Sequence, residues 1–302
     1  MNILIFVVDK CNYKCDYCYN RFPRTLKSAD LNLFSKFIKD IKLKTNRKLN
    51  ISLIGGEPTL NPNIHSFIEN VKELENVTVE LLTNLSQPLE YYIKCLKNNV
   101  KLAASWHSNQ KDKNNLDYVK KIMEIPYEYY EKNMIEVRIM FEYENWSSSD
   151  MVFNLLFNKY KKWMEISLLT KNDGSIYPYT EEQIQKYHEY VKKLKYMRDF
   201  FTLVYSDGSK KQVSFNDMYL NSSVNFQLWK CNAGLDYIYI HVDGNVFNCQ
   251  SYYEHGMKPI CNIHETNGEY KKELFKPCIC RVDYCSCDFD VHKEKVLKGL
   301  KR

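Results

Sequence analysis

The chain has 302 residues, 44% hydrophobic and 26% charged, with a formal net charge of +6, which is length enough for one large domain plus a smaller one. The basic excess is mild and lies largely in lysines on predicted helical faces, so a solvated surface accounts for it and a clustered nucleic-acid footprint is not seen. No run approaches the ~20 apolar residues needed to span a bilayer, Met1 leads straight into a strand pattern with no secretory leader, and eleven cysteines in such a chain point to metal rather than disulfides and to a cytoplasmic setting.

Residues 3–8 form an apolar run suited to a strand buried on both faces. Directly after it, three thiols fall within eight residues: Cys11, Cys15 and Cys18. They belong to a loop at the strand's C-terminal end. Iron–sulfur clusters are held by thiolates, and a four-iron cube that only carries electrons takes four. Three close cysteines with no fourth nearby leave one iron open to something from solution. The same spacing also suits a zinc site completed by a distant cysteine. Leu31, Phe34, Ile38 and Ile41 then share a helix face, and a second strand over 49–54 runs into Gly55-Gly56-Glu57-Pro58. Its glycines let backbone approach a ligand, and its carboxylate can accept hydrogen bonds from a cation.

Cys11-x3-Cys15-x2-Cys18, with Tyr17 before the last cysteine, followed one βα unit later by Gly-Gly-Glu-Pro, resembles the radical SAM superfamily. The resemblance implies a [4Fe–4S] cluster whose open iron chelates S-adenosylmethionine (SAM), and reductive cleavage of SAM to a 5′-deoxyadenosyl radical. It also implies that Tyr17 and the Gly55, Gly56, Glu57 and Pro58 turn serve the cofactor, with backbone and the Glu57 side chain holding the methionine amino group.

Beyond that turn, Pro62 stands near a helix start, and Ile64, Phe67, Ile68 and Val71 follow at i, i+3, i+4 and i+7. Strand patterns at 77–82, 100–106, 135–141 and 164–169 alternate with helical patterns around 89–96, 116–123 and 149–159. Six βα repeats imply a parallel sheet with right-handed crossovers, an α/β fold in the form of a partial (β/α)6 TIM-like barrel with its site on the C-terminal rim. The family resemblance covers roughly residues 1–200 as a radical SAM core. Through it, Asn84 at the end of the third strand, Ser105 and His107 at the end of the fourth, and Arg138 on the fifth become SAM-contact candidates. Leu85 stands where relatives read glycine after Thr-Asn. Arg138 equally suits an ion pair inside the barrel with Glu57, Glu136 or Glu142. Cys95, among apolar neighbours, reads as a small buried hydrophobe.

Thr180 and Gln183 make a capping box that opens another helix. The pattern then turns to hairpins, one around Asp207-Gly208 and one around Asp243-Gly244. Cysteines frame the second: Cys231 and Cys249, then Cys261, Cys278, Cys280, Cys285 and Cys287. This region, residues 201–302, resembles the SPASM/Twitch auxiliary-cluster extension of radical SAM proteins. The likeness implies at least one auxiliary [4Fe–4S] cluster on Cys231, Cys249, Cys285 and Cys287, with Cys280 as substitute. Cys261 is either a structural thiol or a catalytic hydrogen-atom donor. A zinc ribbon is the alternative for the whole tail, and residues 292–302 read as a basic, solvated helix. An electron sink beside a substrate radical favours oxidation or cross-linking, and a thiol donor favours epimerisation. The resemblance points to a ribosomally made peptide as substrate, then to a sugar, aminocyclitol or nucleoside, with flavodoxin or ferredoxin as electron donor. A zinc-binding interaction module is the non-enzymatic alternative.

Overall fold

Alternating strands and helices build the first two thirds of the chain: β1 (Asn2–Phe6), α1 (Leu31–Thr45), β2 (Leu49–Ile54), α2 (Ile64–Val71), β3 (Val77–Thr83), α3 (Leu89–Lys97), β4 (Val100–His107), α4 (Lys113–Glu124), α5 (Tyr127–Glu131), β5 (Ile135–Phe141), α6 (Trp146–Tyr160), β6 (Met164–Leu168) and α7 (Glu181–Lys193). The computed structural model describes residues 1–18, 27–108, 113–171, 173–194, 200–205, 207–285 and 291–295. Strands β1 to β6 pair in sequence order and in parallel, the α/β arrangement that the repeat pattern predicts. The predicted helix faces are the buried ones: Leu31, Phe34, Ile38 and Ile41 on α1, and Ile64, Phe67, Ile68 and Val71 on α2. The Thr180–Gln183 capping box is present in both directions. Cys95 is fully buried, as expected of a small apolar side chain.

The C-terminal part adds β7 (Phe200–Val204), β8 (Lys210–Ser214), α8 (Phe215–Leu220), β9 (Lys230–Cys231), β10 (Tyr237–Ile240), β11 (Asn245–Phe247), α9 (Gln250–Glu254), β12 (Cys261–Asn262), β13 (Cys278–Ile279) and β14 (Lys293–Glu294). Both expected hairpins form, with Gly208 and Gly244 at positive φ in their turns, where glycine carries no Cβ penalty. The second hairpin does not stand apart from the barrel. Strand β10 pairs in parallel with β1, Leu4 opposite Tyr239, so the sheet runs on as β12-β11-β10-β1-β2-β3-β4-β5-β6 with β12 and β6 as its edges. The basic helix expected at 292–302 is corrected in part: Lys293–Glu294 is a strand paired with β9, and residues 296–302 lie outside the described ones. Helices α5, α8 and α9 have five or six residues, too few for a helical period to register in sequence.

Successive strand residues face opposite sides, and the registers sort the sheet into two chemistries. Ile5, Leu53, Leu81, Ala104 and Val137 are each fully buried on the helix side. The other side is polar. Asn50 donates to Asn2 Oδ1 at 2.9 Å and accepts from Thr78 Oγ1 at 2.9 Å, a ladder across three strands. Further round on the same side come Ser105, Arg138 and Glu165, in register with one another. A polar lumen beneath a rim of strand C-termini is where a barrel of this kind places ligands.

Candidate active site

Three neighbouring strand ends grip the loop that carries Cys11, Cys15 and Cys18. From the end of β2, the Gly56 N–H donates to the Val8 carbonyl at 2.7 Å and the Glu57 N–H to the Lys10 carbonyl at 2.9 Å. A Cβ on Gly56 would lie 2.2 Å from the Lys10 oxygen and 2.8 Å from the Cys11 nitrogen, and one on Gly55 would lie 2.4 Å from the Val8 oxygen. The two glycines are therefore required by contact with the thiol loop. From the end of β3, Asn84 Nδ2 donates to Asn12 Oδ1 at 3.0 Å. From the end of β4, His107 Nδ1 meets the Tyr17 hydroxyl at 2.9 Å, with the two rings stacked 5.9 Å apart. The grips fall at residues 10, 12 and 17, interleaved with the three cysteines.

All three thiols are half-buried and none is in a disulfide. The Tyr13 N–H donates to Cys11 Sγ at 3.3 Å, and the Tyr17 hydroxyl is in hydrogen-bonding contact with Cys15. Donors aimed at sulfur favour thiolate, the form that ligates iron. Half-buried thiols with donors near sulfur are chemistry that suits a cluster held by three cysteines.

Glu57 is 1% exposed, and its carboxylate is engaged from within. Oε1 accepts from Thr59 Oγ1 at 2.7 Å, Thr83 Oγ1 at 2.7 Å and the Thr59 N–H at 3.3 Å, and Oε2 accepts from the Asn84 N–H at 2.8 Å. Glu57 thereby fastens the β2 turn to the end of β3. Burial raises its pKa against these hydrogen bonds, which act to lower it. Pro58 follows as the buried first residue of a short 3-10 turn that Glu57 caps. Leu85 takes the conformation of the glycine it replaces, φ +55°, with its N–H on Thr83 Oγ1 at 3.1 Å. That backbone costs about 1–2 kcal/mol in a non-glycine residue, offset here by a fully buried leucine side chain.

Arg138 makes the barrel-interior ion pair, with Glu136 at 2.6 Å and Glu165 at 3.0 Å. Glu136 was among its expected partners and Glu165 was not. Glu57 is taken up as described, and Glu142 is bound by Ser108 Oγ and by Asn145 Nδ2 at 3.1 Å. Ser105 is half-buried and directly opposite Arg138. Desolvation pushes His107 down to about 4 and, as the largest cause, raises Tyr17 far above the ordinary phenol value.

Residues 5–152 match the family described as the radical SAM superfamily. These residues form a radical SAM domain. A 95-residue stretch is 37% identical to a probable GTP 3′,8-cyclase of Methanococcus maripaludis strain C5, and that stretch is 30% of this chain and 30% of the cyclase. Among solved structures the chain resembles anSMEcpe with bound AdoMet, at TM-score 0.58 and 16% identity over 91% of this chain and 82% of that one. It also resembles BtrN in complex with AdoMet and 2-DOIA, at 0.52 and 15% over 91% and 86%, and Streptococcus suis SuiB bound to precursor peptide SuiA, at 0.58 and 15% over 90% and 63%. At such identities the likeness is one of fold. A radical SAM domain implies a [4Fe–4S] cluster and SAM. Among the described residues no helix is long and apolar enough to cross a membrane.

Outside the radical SAM domain, strand pairing brings together two tail thiols that the family likeness did not pair. Cys231 on β9 stands directly opposite Cys278 on β13, and their thiols are in hydrogen-bonding contact, which together with burial raises Cys278. The Tyr252 hydroxyl reaches Cys278 and donates to the Ile279 carbonyl at 2.8 Å, and Cys249 and Cys280 lie close enough to act on the same phenol. Tyr252 thus stands beside Cys278, which faces Cys231, with Cys249 and Cys280 in the same neighbourhood. Cys278 is the one that spacing passed over. Strand alternation at Cys278-Ile279-Cys280 was the available signal, since it turns both thiols one way and leaves Ile279 exposed. Cys285 is buried, its N–H on the Val224 carbonyl and its carbonyl on the Tyr219 hydroxyl. Cys287 lies outside the described residues. Among the described residues no three cysteine, histidine or carboxylate side chains converge as on a single ion.

Cys261 pairs with Val246, Val246 with Ile240 and Ile240 with Ile5, so all four share the helix side of the sheet. Burial pushes its thiol up to about 11. This register turns Cys261 away from the lumen, as suits the structural reading of that thiol.

Proposed function

We propose that the chain is a radical SAM enzyme in which Cys11, Cys15 and Cys18 hold the [4Fe–4S] cluster and the turn at Gly55–Pro58 offers backbone, rather than the Glu57 carboxylate, to the cofactor. The observation that carries this reading is the thiol loop gripped from three strand ends above a polar lumen. Cluster and SAM, when bound, supply a 5′-deoxyadenosyl radical able to take a hydrogen atom from an unactivated C–H bond. The protein's own residues orient and exclude water: Tyr17, Asn84 and Ser105 line the rim and the wall below it, and the Glu136–Arg138–Glu165 set holds fixed charge in the lumen. The tail, residues 201–302, is an auxiliary iron–sulfur region of SPASM/Twitch type with Cys231, Cys249, Cys278 and Cys280 as its thiols. An electron acceptor there favours oxidation or cross-linking of a ribosomally made peptide, with a flavodoxin or ferredoxin supplying electrons to the first cluster.

A second reading is a dehydrogenase or epimerase for a sugar, aminocyclitol or nucleoside. The charged Glu136–Arg138–Glu165 set on the lumen side favours a polar substrate.

The test is anaerobic reconstitution followed by SAM and reductant. Deoxyadenosine formation, lost in a Cys11→Ala/Cys15→Ala/Cys18→Ala variant, supports the enzyme. A colourless protein that binds zinc and leaves SAM intact ends it in favour of an interaction module. Peptides encoded beside the gene, then polyols and nucleosides, serve as substrates, and mass spectrometry separates loss of two hydrogens from an isobaric epimer.

A further inference from the structure

Tyr17 and His107 are joined more closely than a ring contact requires. The hydroxyl lies 2.9 Å from Nδ1, and the same hydroxyl is in contact with the Cys15 thiol. Tyr17 is 9% exposed, so water does not compete freely for it. His107 is held neutral in the working range, and a neutral ring carries one proton, placed by the hydrogen bonds around it. The strand end that presents His107 is itself anchored. Its neighbour Ser108 donates to the buried Glu142 carboxylate, which also accepts from Asn145 Nδ2 at 3.1 Å. A line of contacts therefore runs from the end of β5, through the end of β4, to the thiol loop.

We propose that His107 and Tyr17 form a hydrogen-bond relay onto the Cys15 sulfur, with His107 Nδ1–H donating to the Tyr17 oxygen and the Tyr17 O–H donating to Cys15. The relay rests on the reading that Cys15 ligates the cluster. Its function is that of a positioning and tuning pair. Hydrogen bonds to ligand sulfur are among the levers that set the potential of an iron–sulfur centre. A donor draws negative charge from the thiolate and so favours the electron-rich, reduced state. The imidazole fixes which way the phenol points, because with Nδ1–H donating to it the hydroxyl proton is left for sulfur. Asn84 holds the same loop through Asn12, but that bond ends on an amide and leaves the sulfurs alone.

The experiment compares reconstituted wild type, Tyr17→Phe, His107→Phe, the double variant and His107→Asn. Iron per chain is measured first, then the midpoint potential by redox titration followed by electron paramagnetic resonance. Tyr17→Phe removes the donor and shifts the potential negative. His107→Phe shifts it the same way while leaving Tyr17 in place, and the double variant goes no further than Tyr17→Phe alone. His107→Asn, whose amide can donate in place of Nδ1–H, lies between wild type and Tyr17→Phe, and it keeps the comparison open if the phenylalanine variant folds poorly. A His107→Phe or His107→Asn potential equal to wild type, or single shifts that add in the double variant, overturns the relay. Wild type without a titratable cluster ends both the relay and the parent reading, whereas a titratable cluster unmoved by His107 ends the relay alone.

Discussion

The Glu57 carboxylate accepts the backbone N–H of Asn84 at 2.8 Å, and this bond ties the glycine turn of β2 to the end of β3, which in turn holds Asn12 beside the first cysteine. Two strand ends and the thiol loop are thus one hydrogen-bonded unit. Glu57→Gln keeps the size of the side chain but sets an NH2 group against one of the donors. A buried donor left without an acceptor costs about 1–3 kcal/mol, so urea unfolding of the iron-free protein registers a loss of that order. Glu57→Gln as stable as wild type ends the idea that the carboxylate is the lock.

Gly56→Ala tests the close approach. Its new Cβ meets backbone at 2.2 Å, where no side-chain rotamer can give way, so the thiol loop itself must move. Overpacking of this kind costs about 1–3 kcal/mol. The more telling readout is iron: the variant retains the far-ultraviolet dichroism of the fold while iron bound per chain falls. Normal iron content with normal stability shows that the loop tolerates the shift.

How much of this was legible in the sequence follows from how far apart the interacting groups are. The six βα repeats announce themselves through local periodicity, and Phe34 or Ile68 is buried where its spacing says. The need for glycine at 55 and 56 was legible, but its cause, the carbonyls of Val8 and Lys10, lies nearly fifty residues away. The partners of Glu57 at Thr83 and Asn84 could not be found, because a buried carboxylate and an exposed one look alike in a string of letters. Arg138 left two readings open, and the structure supplies the ion pair, with Glu136 on its own strand and with Glu165, a partner that only the register of β6 reveals. In the tail, ligand spacing by family likeness favoured the last cysteines, while strand pairing brings Cys278 to Cys231.

His107 gives the unloaded protein a pH dependence. Desolvation depresses its folded-state pKa to about 4, against ~6.5 for an unfolded histidine. Between those values the unfolded chain binds the proton and the folded chain does not, so stability is complete above ~6.5 and is lost as pH falls towards 4. The shift sets an upper bound of about 3 kcal/mol on that loss. Urea unfolding of wild type and His107→Phe at pH 7, 6, 5 and 4.5 checks it. The wild-type curve falls more steeply than that of the variant, and parallel curves exclude His107 as the source.

The tail thiols separate by substitution. Cys278→Ser and Cys231→Ser each remove one member of a facing pair whose thiols touch, and iron bound per chain drops by about four as one cubic centre is lost. Cys261→Ser leaves iron unchanged, because Cys261 lies on the helix side of the sheet opposite Val246. In the iron-free protein Cys261 also alkylates slowly, its thiol being pushed up to about 11 by burial, and thiolate is the reacting form. If Cys261→Ser loses iron while Cys278→Ser keeps it, the grouping around Tyr252 is not the auxiliary site. If Cys261→Ala still cleaves SAM but forms no product, the structural reading of Cys261 gives way to hydrogen donation, and the sheet register that turns it from the lumen would have to change in the working enzyme.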